Sequence, residues 1–335
     1  MKTAVLLINL GTPDSYQTAD VRKYLVEFLT DRRVIDIPAI RRNLLVRGII
    51  APFRAPKSAA AYKTIWTEKG SPLMVHSLEL KLKMQESLGA EFQVELAMRY
   101  GNPSIKSVLD QLKKQALRKI KIIPLYPHYA SASSGSVLEK VMQELSQWET
   151  IPSIDWVMDF YNDPGLIDAF VAQGKKYNPI DYDHVLFSFH GLPERQLIKA
   201  DEFNLCCQKA DCCQSMHSKN MNCYGAQSYE TTRLIAERFQ LPTEKYSVSF
   251  QSRLGKTPWK KPFTSEVLEK LAKAGKKKVL VFCPSFVCDC LETLYEISID
   301  YQAEFIKSGG EKLQLVEGLN SSEVWVNALK VIALK

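Results

Sequence analysis

The stretch His184-Val185-Leu186-Phe187-Ser188-Phe189-His190-Gly191-Leu192-Pro193 decides the fold class. Its first part is short and apolar, and Gly191 and Pro193 then break the chain. A strand buried on both faces of a parallel sheet has this form, because neither face needs a polar residue. Similar runs at 246–250, 278–282 and 313–316 complete a set of four. An earlier set lies at 3–10, 92–97, 119–125 and 154–160, with amphipathic segments such as 78–88 and 105–116 in between. That rhythm predicts βαβ units. The expectation is an α/β chain in two halves, 1–175 and 176–335, each with a four-stranded parallel sheet flanked by helices. A last helix at 321–333 is expected to pack on either half.

Composition narrows the function. The chain has 335 residues, 46% of them hydrophobic and 24% charged, with a net charge of +7. This suits an ordinary globular protein. The basic excess lacks the dense stripes and aromatic platforms of a nucleic-acid binder, so none is expected. The lysines at 276–278 read as a solvated strand entry. No G-x-G-x-x-G opens a helix. Gly255-Lys256-Thr257 imitates the end of a P-loop, but the earlier glycine position holds Phe250 and Pro258 follows at once. The apolar run at 1–10 is too short for a signal peptide, and no run approaches the roughly 20 residues of a membrane span. A cytoplasmic protein is expected. Eight cysteines there point to metal or redox chemistry before disulfides.

In an open parallel sheet, ligands bind beyond the carboxyl ends of the strands. The segments there are polar and unusual: Asn9-Leu10-Gly11-Thr12-Pro13, Tyr126-Pro127-His128-Tyr129, Gln251-Ser252-Arg253 and Cys283-Pro284-Ser285-Phe286, beside the His190 turn. If both halves turn these ends inward, they line one cleft. His190 can serve as a proton acceptor near neutrality or as an iron ligand. By position alone, a histidine satisfied by its own turn fits equally well. Glu292, Glu296 and Asp300 recur every four residues and form a row on one helical face. Such a row can hold a hydrated divalent ion or relay protons. Spacing alone favours the plainer reading of an exposed acidic face near a helix start. Cys206, Cys207, Cys212, Cys213 and Cys223 crowd one loop without C-x-x-C pairs. Iron–sulfur or zinc binding is expected, with a 2Fe–2S cluster ahead of zinc. Residues 37–53 mix Ile40, Leu44, Leu45, Ile49, Ile50 and Phe53 with Arg41, Arg42 and Arg47. This basic amphipathic segment suits an anionic membrane face or the lip of an apolar pocket, or else a helix packed on its own domain.

Seven motifs, in order along nearly the whole chain, resemble the ferrochelatase family. Ser188-Phe189-His190-Gly191-Leu192-Pro193 is similar to its S-x-H-(G/S)-x-P signature, and Cys290-Leu291-Glu292-Thr293-Leu294 to its second signature. Leu10-Gly11-Thr12-Pro13, Gly70-Ser71-Pro72-Leu73, Arg99-Tyr100, Tyr126-Pro127-His128-Tyr129 and Gln251-Ser252-Arg253 complete the set. The resemblance implies two Rossmann-like domains of the chelatase type and insertion of Fe²⁺ into protoporphyrin IX, the last step of haem biosynthesis. It implies His190 and Glu292 as catalytic residues, with Glu296 and Asp300 continuing a path for iron or protons. Arg99, Tyr100, Tyr126 and Arg33 are the implied porphyrin contacts, and 37–53 the apolar lip, a peripheral contact with the inner membrane. Coproporphyrin is an alternative substrate. Cobalt chelation and non-catalytic haem or iron sensing are alternative activities. Some members carry histidine where this chain has Cys290. A bacterial subgroup with an internal cluster implies Cys206, Cys212, Cys213 and Cys223 as 2Fe–2S ligands, with Cys207 as a substitute.

Overall fold

The computed structural model describes residues 3–115, 117–205, 211–255 and 257–335. Both expected sets of strands are present. The first is β1 (Thr3–Gly11), β2 (Phe92–Tyr100), β3 (Lys119–Pro124) and β4 (Ser153–Trp156). The second is β5 (His184–His190), β6 (Tyr246–Gln251), β7 (Lys278–Phe282) and β8 (Lys312–Leu315). Each set forms a wholly parallel sheet, in the order β2-β1-β3-β4 and β6-β5-β7-β8. In both, the second strand lies outside the first and the third pairs on its other side. The α/β expectation of two four-stranded parallel sheets is borne out.

Position in the sheet follows from composition. Ala4–Ile8 of β1 and Val185–Phe189 of β5 are buried throughout and sit at central positions. β4 is a partly exposed edge strand. It ends at Trp156, short of the expected 160, because β3 supplies ladder partners only as far as Trp156. Helices cover the sheets with their apolar stripes. In the helix Ile105–Lys113, Ile105, Val108, Leu109 and Leu112 are buried against Leu6, Ile8, Ile120 and Ile122. Its N-cap, Ser104, accepts from the Ser107 N–H at 3.1 Å.

The chain forms two compact units. One comprises 1–126, 130–159 and 329–335, the other 127–129 and 160–328. The last helix, Glu323–Leu334, is shared between them. Within each sheet the chain leaves the first strand on one side and returns on the other, which opens a crevice at the carboxyl ends of the first and third strands. In the first unit this edge carries Gly11, at φ +109, where a Cβ would lie 1.7 Å from the Tyr100 carbonyl oxygen. Only glycine lets β1 end that close to β2. In the second unit the same edge carries His190 and Ser285.

Candidate active site

His190 is the last residue of β5 and is held at each polar backbone atom. Its N–H donates to Ser285 Oγ at 3.1 Å, and its carbonyl accepts from the Tyr224 hydroxyl at 2.8 Å. The imidazole Nδ1 lies 2.7 Å from the Gly191 carbonyl oxygen. A carbonyl only accepts, so Nδ1 carries a proton, and in the neutral ring Nε2 holds the lone pair. The ring is half-buried and meets the Phe286 ring edge-on at 6.2 Å. Gly191 has no room for a side chain, since a Cβ would lie 2.7 Å from the Gln251 carbonyl oxygen.

The acidic row lies on the same unit. Glu292–Tyr301 is a π-helix, whose i→i+5 closure is wider than the α-turn expected from the spacing. Gln251, the ladder partner of His190 at the end of β6, joins the two motifs. Its Nε2 donates to the Glu292 carbonyl at 3.0 Å and to Glu296 Oε2 at 3.1 Å, while its Oε1 accepts from Ser188 Oγ at 2.7 Å. Glu296 also accepts from the Ser252 hydroxyl and, at 3.0 Å, from the Tyr301 hydroxyl. Ser252 makes its contact from a left-handed backbone at φ 65, a conformation that costs non-glycine residues on the order of 1 kcal/mol or more. Burial, then the Glu292 charge, raises the Cys290 thiol well above its ordinary pKa, and that thiol is hydrogen-bonded to Glu292. Asp300 is exposed and hydrogen-bonded to Tyr295. Asp289 anchors the start of the helix, accepting from Thr293 Oγ1 at 2.9 Å, Gly318 N at 3.0 Å and Asn320 Nδ2 at 2.8 Å.

The first unit gathers the other residues in question. Arg99 Nη2 meets Asp31 Oδ2 at 2.5 Å, and Arg99 Nε donates to Ser136 Oγ at 2.7 Å. The fully buried Tyr100 donates its hydroxyl to the same Asp31 oxygen at 2.8 Å. Burial works to raise the Asp31 pKa. Donation by Ser136 and the Arg33 backbone, the Arg99 charge and Tyr100 outweigh it, and the net shift is downward. Arg33 pairs with Glu139 and donates Nη1 to Ser131 Oγ at 2.8 Å. Tyr126 ends in a buried hydroxyl that has no partner among the described residues. Burial raises its pKa.

Cys206 and Cys207 lie outside the described residues. Cys212 and Cys213 have their sulfurs 3.6 Å apart, and Cys213 is hydrogen-bonded to Cys223. Lys260 Nζ stands 3.2 Å from Cys213 Sγ. By donor type, three thiols beside a cation match an anionic, thiolate-bound metal group, but their arrangement does not. Among the described residues, no group of three or more His, Cys, Asp or Glu side chains is placed to hold a metal ion.

The sequence pattern of the ferrochelatase family matches residues 2–335. This chain belongs to the ferrochelatase family. It is 48% identical over 332 residues to a ferrochelatase of Legionella pneumophila (strain Paris), covering 99% of this chain and 98% of the relative. It is 43% identical over 335 residues to a ferrochelatase of Coxiella burnetii (strain Dugway 5J108-111), covering 100% and 94%. Among solved structures, SirB from Bacillus subtilis with Fe³⁺ superposes with a TM-score of 0.57, covering 99% of this chain and 94% of that one. Their identity is 12%, so the likeness is one of fold.

Motif reading missed two residues of this candidate site. Tyr301 reaches Glu296 only through i→i+5 geometry, which a search at α-helical spacing overlooks. Tyr224 follows Cys223 in the chain, and its buried hydroxyl is matched by no local signal.

Proposed function

We propose that this chain is a lyase that inserts Fe²⁺ into protoporphyrin IX and releases two protons. The observation that carries the mechanism is the anchored Nδ1 of His190, which leaves Nε2 as a fixed lone pair. Insertion replaces two pyrrole N–H bonds by bonds to iron. His190 Nε2 accepts a pyrrole proton as general base. Glu292, Glu296 and Asp300 supply oxygen ligands that replace water on the incoming ion and carry protons outward. Gln251 supports this division of labour, since its amide ties Glu296 and the Glu292 backbone to the strand end beside His190. A site complementary to a puckered macrocycle lowers the barrier more than one fitted to the flat ring.

Arg33, Arg99, Tyr100 and Tyr126 are the proposed porphyrin contacts. The unpartnered hydroxyl of Tyr126 supports a direct role for that residue. The ion pairs of Arg33 and Arg99 support a role in shaping the wall around it. Cys206, Cys212, Cys213 and Cys223 are the proposed ligands of a 2Fe–2S cluster, with Lys260 offsetting its negative charge. The cluster would serve a structural or sensing role. The protein is proposed to work in the cytoplasm, resting on the inner membrane through 37–53. In that segment Ile40, Leu44 and Phe53 are 78%, 70% and 80% exposed, beside exposed Arg41 and Arg47. No helix among the described residues is long and apolar enough to cross a membrane.

The test is anaerobic incubation with Fe²⁺ and protoporphyrin, followed by visible absorbance, beside His190→Ala. Multiple turnovers that vanish in the variant are expected. Binding without turnover, with coproporphyrin also inert, would sink the proposal.

A further inference from the structure

His190 is useful as a base only if Nε2 points at the substrate. Its imidazole is fixed to the Gly191 carbonyl oxygen, which lies in the next peptide unit, so the ring direction depends on where the unit between His190 and Gly191 places Gly191. That unit is held at both ends. Its N–H, on Gly191, donates to Gln251 O at 2.7 Å. Its oxygen, on His190, accepts from the Tyr224 hydroxyl at 2.8 Å. The Ser285 hydroxyl accepts from the His190 N–H at 3.1 Å and is itself hydrogen-bonded to Tyr224. Since Tyr224 gives its proton to His190 O, Ser285 must donate to the phenol oxygen. The bonds close a ring: His190 N–H to Ser285, Ser285 to Tyr224, Tyr224 to His190 C=O.

Tyr224 cannot easily move. It is buried, and its ring meets the His128 imidazole edge-on at 5.9 Å. His128 is buried in turn, with Nε2 2.9 Å from Thr231 Oγ1. Thr231 donates to the Tyr161 carbonyl at 2.7 Å, so it accepts from His128, whose Nε2 therefore carries the proton.

We propose that Tyr224 is the positioning residue of the site, setting the direction of His190 Nε2 by holding the His190 carbonyl, with Ser285 as its relay. The proposal rests on the reading of His190 as the base. Without the phenol hydroxyl, this planar unit is held by the Gly191 N–H bond alone, and Gly191, whose carbonyl oxygen fixes Nδ1, is placed less firmly.

The experiment compares wild type, Tyr224→Phe and Ser285→Ala by steady-state kinetics and by ¹⁵N NMR of histidine-labelled protein. His190→Gln assigns the His190 signals among the five histidines. Tyr224→Phe keeps the ring and its packing, so the fold is expected to survive. Expected is a kcat lowered roughly ten- to a hundredfold, the scale of a misplaced reacting group, with the porphyrin KM unchanged. His190 is expected to lose its single Nδ1–H signature, and Ser285→Ala to show the same change more weakly. An unaltered His190 tautomer signal in Tyr224→Phe would overturn the proposal, as would an unaltered kcat. If the wild type shows no turnover, the chelatase reading fails separately, and the NMR comparison still decides whether Tyr224 sets His190.

Discussion

Gln251 donates a hydrogen bond from Nε2 to Glu296 Oε2 at 3.1 Å, which ties the acidic helix to the strand that pairs with His190. Hydrogen bonds to charged groups are worth about 1.5–3 kcal/mol. Gln251→Leu is therefore expected to raise the KM for Fe²⁺ roughly tenfold or more while the porphyrin KM holds. It should also lower stability by about 1–3 kcal/mol, because the buried Ser188 hydroxyl loses its acceptor. Initial rates at varied iron, with a urea melt alongside, check both. An unchanged iron KM would show that Gln251 does not position Glu296 for iron.

The Asp31 network predicts a pH signature. Its folded pKa lies below the ordinary 3.8, so its stabilising contribution is complete above 3.8 and is lost as pH falls through the lowered value. Asp31→Asn strands the largely buried Arg99 and should cost about 3–5 kcal/mol at pH 7. In acid well below 3.8 the gap between variant and wild type should shrink. Urea midpoints at the two pH values test this, and an equal gap at both would rule out the charge as its source.

The cysteine proposal makes its own prediction. Cys213→Ser should yield protein with sharply reduced iron and acid-labile sulfide, without cluster absorbance and with a lower melting temperature. Metal and sulfide analysis of anaerobically purified protein reads the first part, and thermal melts the second. A cluster-free variant as stable and as active as wild type would refute the structural role.

The exposed apolar residues at 37–53 predict membrane affinity. Ile40→Glu with Phe53→Glu should reduce sedimentation with anionic vesicles severalfold, since burial of one large apolar side chain is worth about 1.5–3 kcal/mol. Turnover of detergent-dispersed porphyrin should be unaffected. Binding of wild type should weaken with salt, because Arg41 and Arg47 are exposed beside the apolar residues. Equal sedimentation of variant and wild type would remove the lip from the membrane reading.

The His190 turn and the acidic row were legible as motifs, whereas the parts that aim them were not. Spacing by four put Glu292, Glu296 and Asp300 on one helical face. The π-helix and the bonds of Glu296 to Gln251, Ser252 and Tyr301 were invisible to that reading, because Gln251 and Ser252 lie 45 and 44 residues away and Tyr301 is met at a spacing of five. Arg99 and Tyr100 were legible as a pair. Their shared partner Asp31 lies 68 and 69 residues away, and no local pattern marks it.

The sequence by itself determined the eight strands, the parallel class and the turns that end at Gly11 and Gly191, because apolar runs and chain breakers act over a few neighbouring residues. Only the tertiary structure decided what holds the His190 backbone, and with it the turn on which Nδ1 rests. The grip on its backbone comes from Tyr224 and Ser285, 34 and 95 residues onward. A hydrogen-bond donor serves an acceptor only within about 3 Å, and separations along the chain carry no such distance until the sheets have formed.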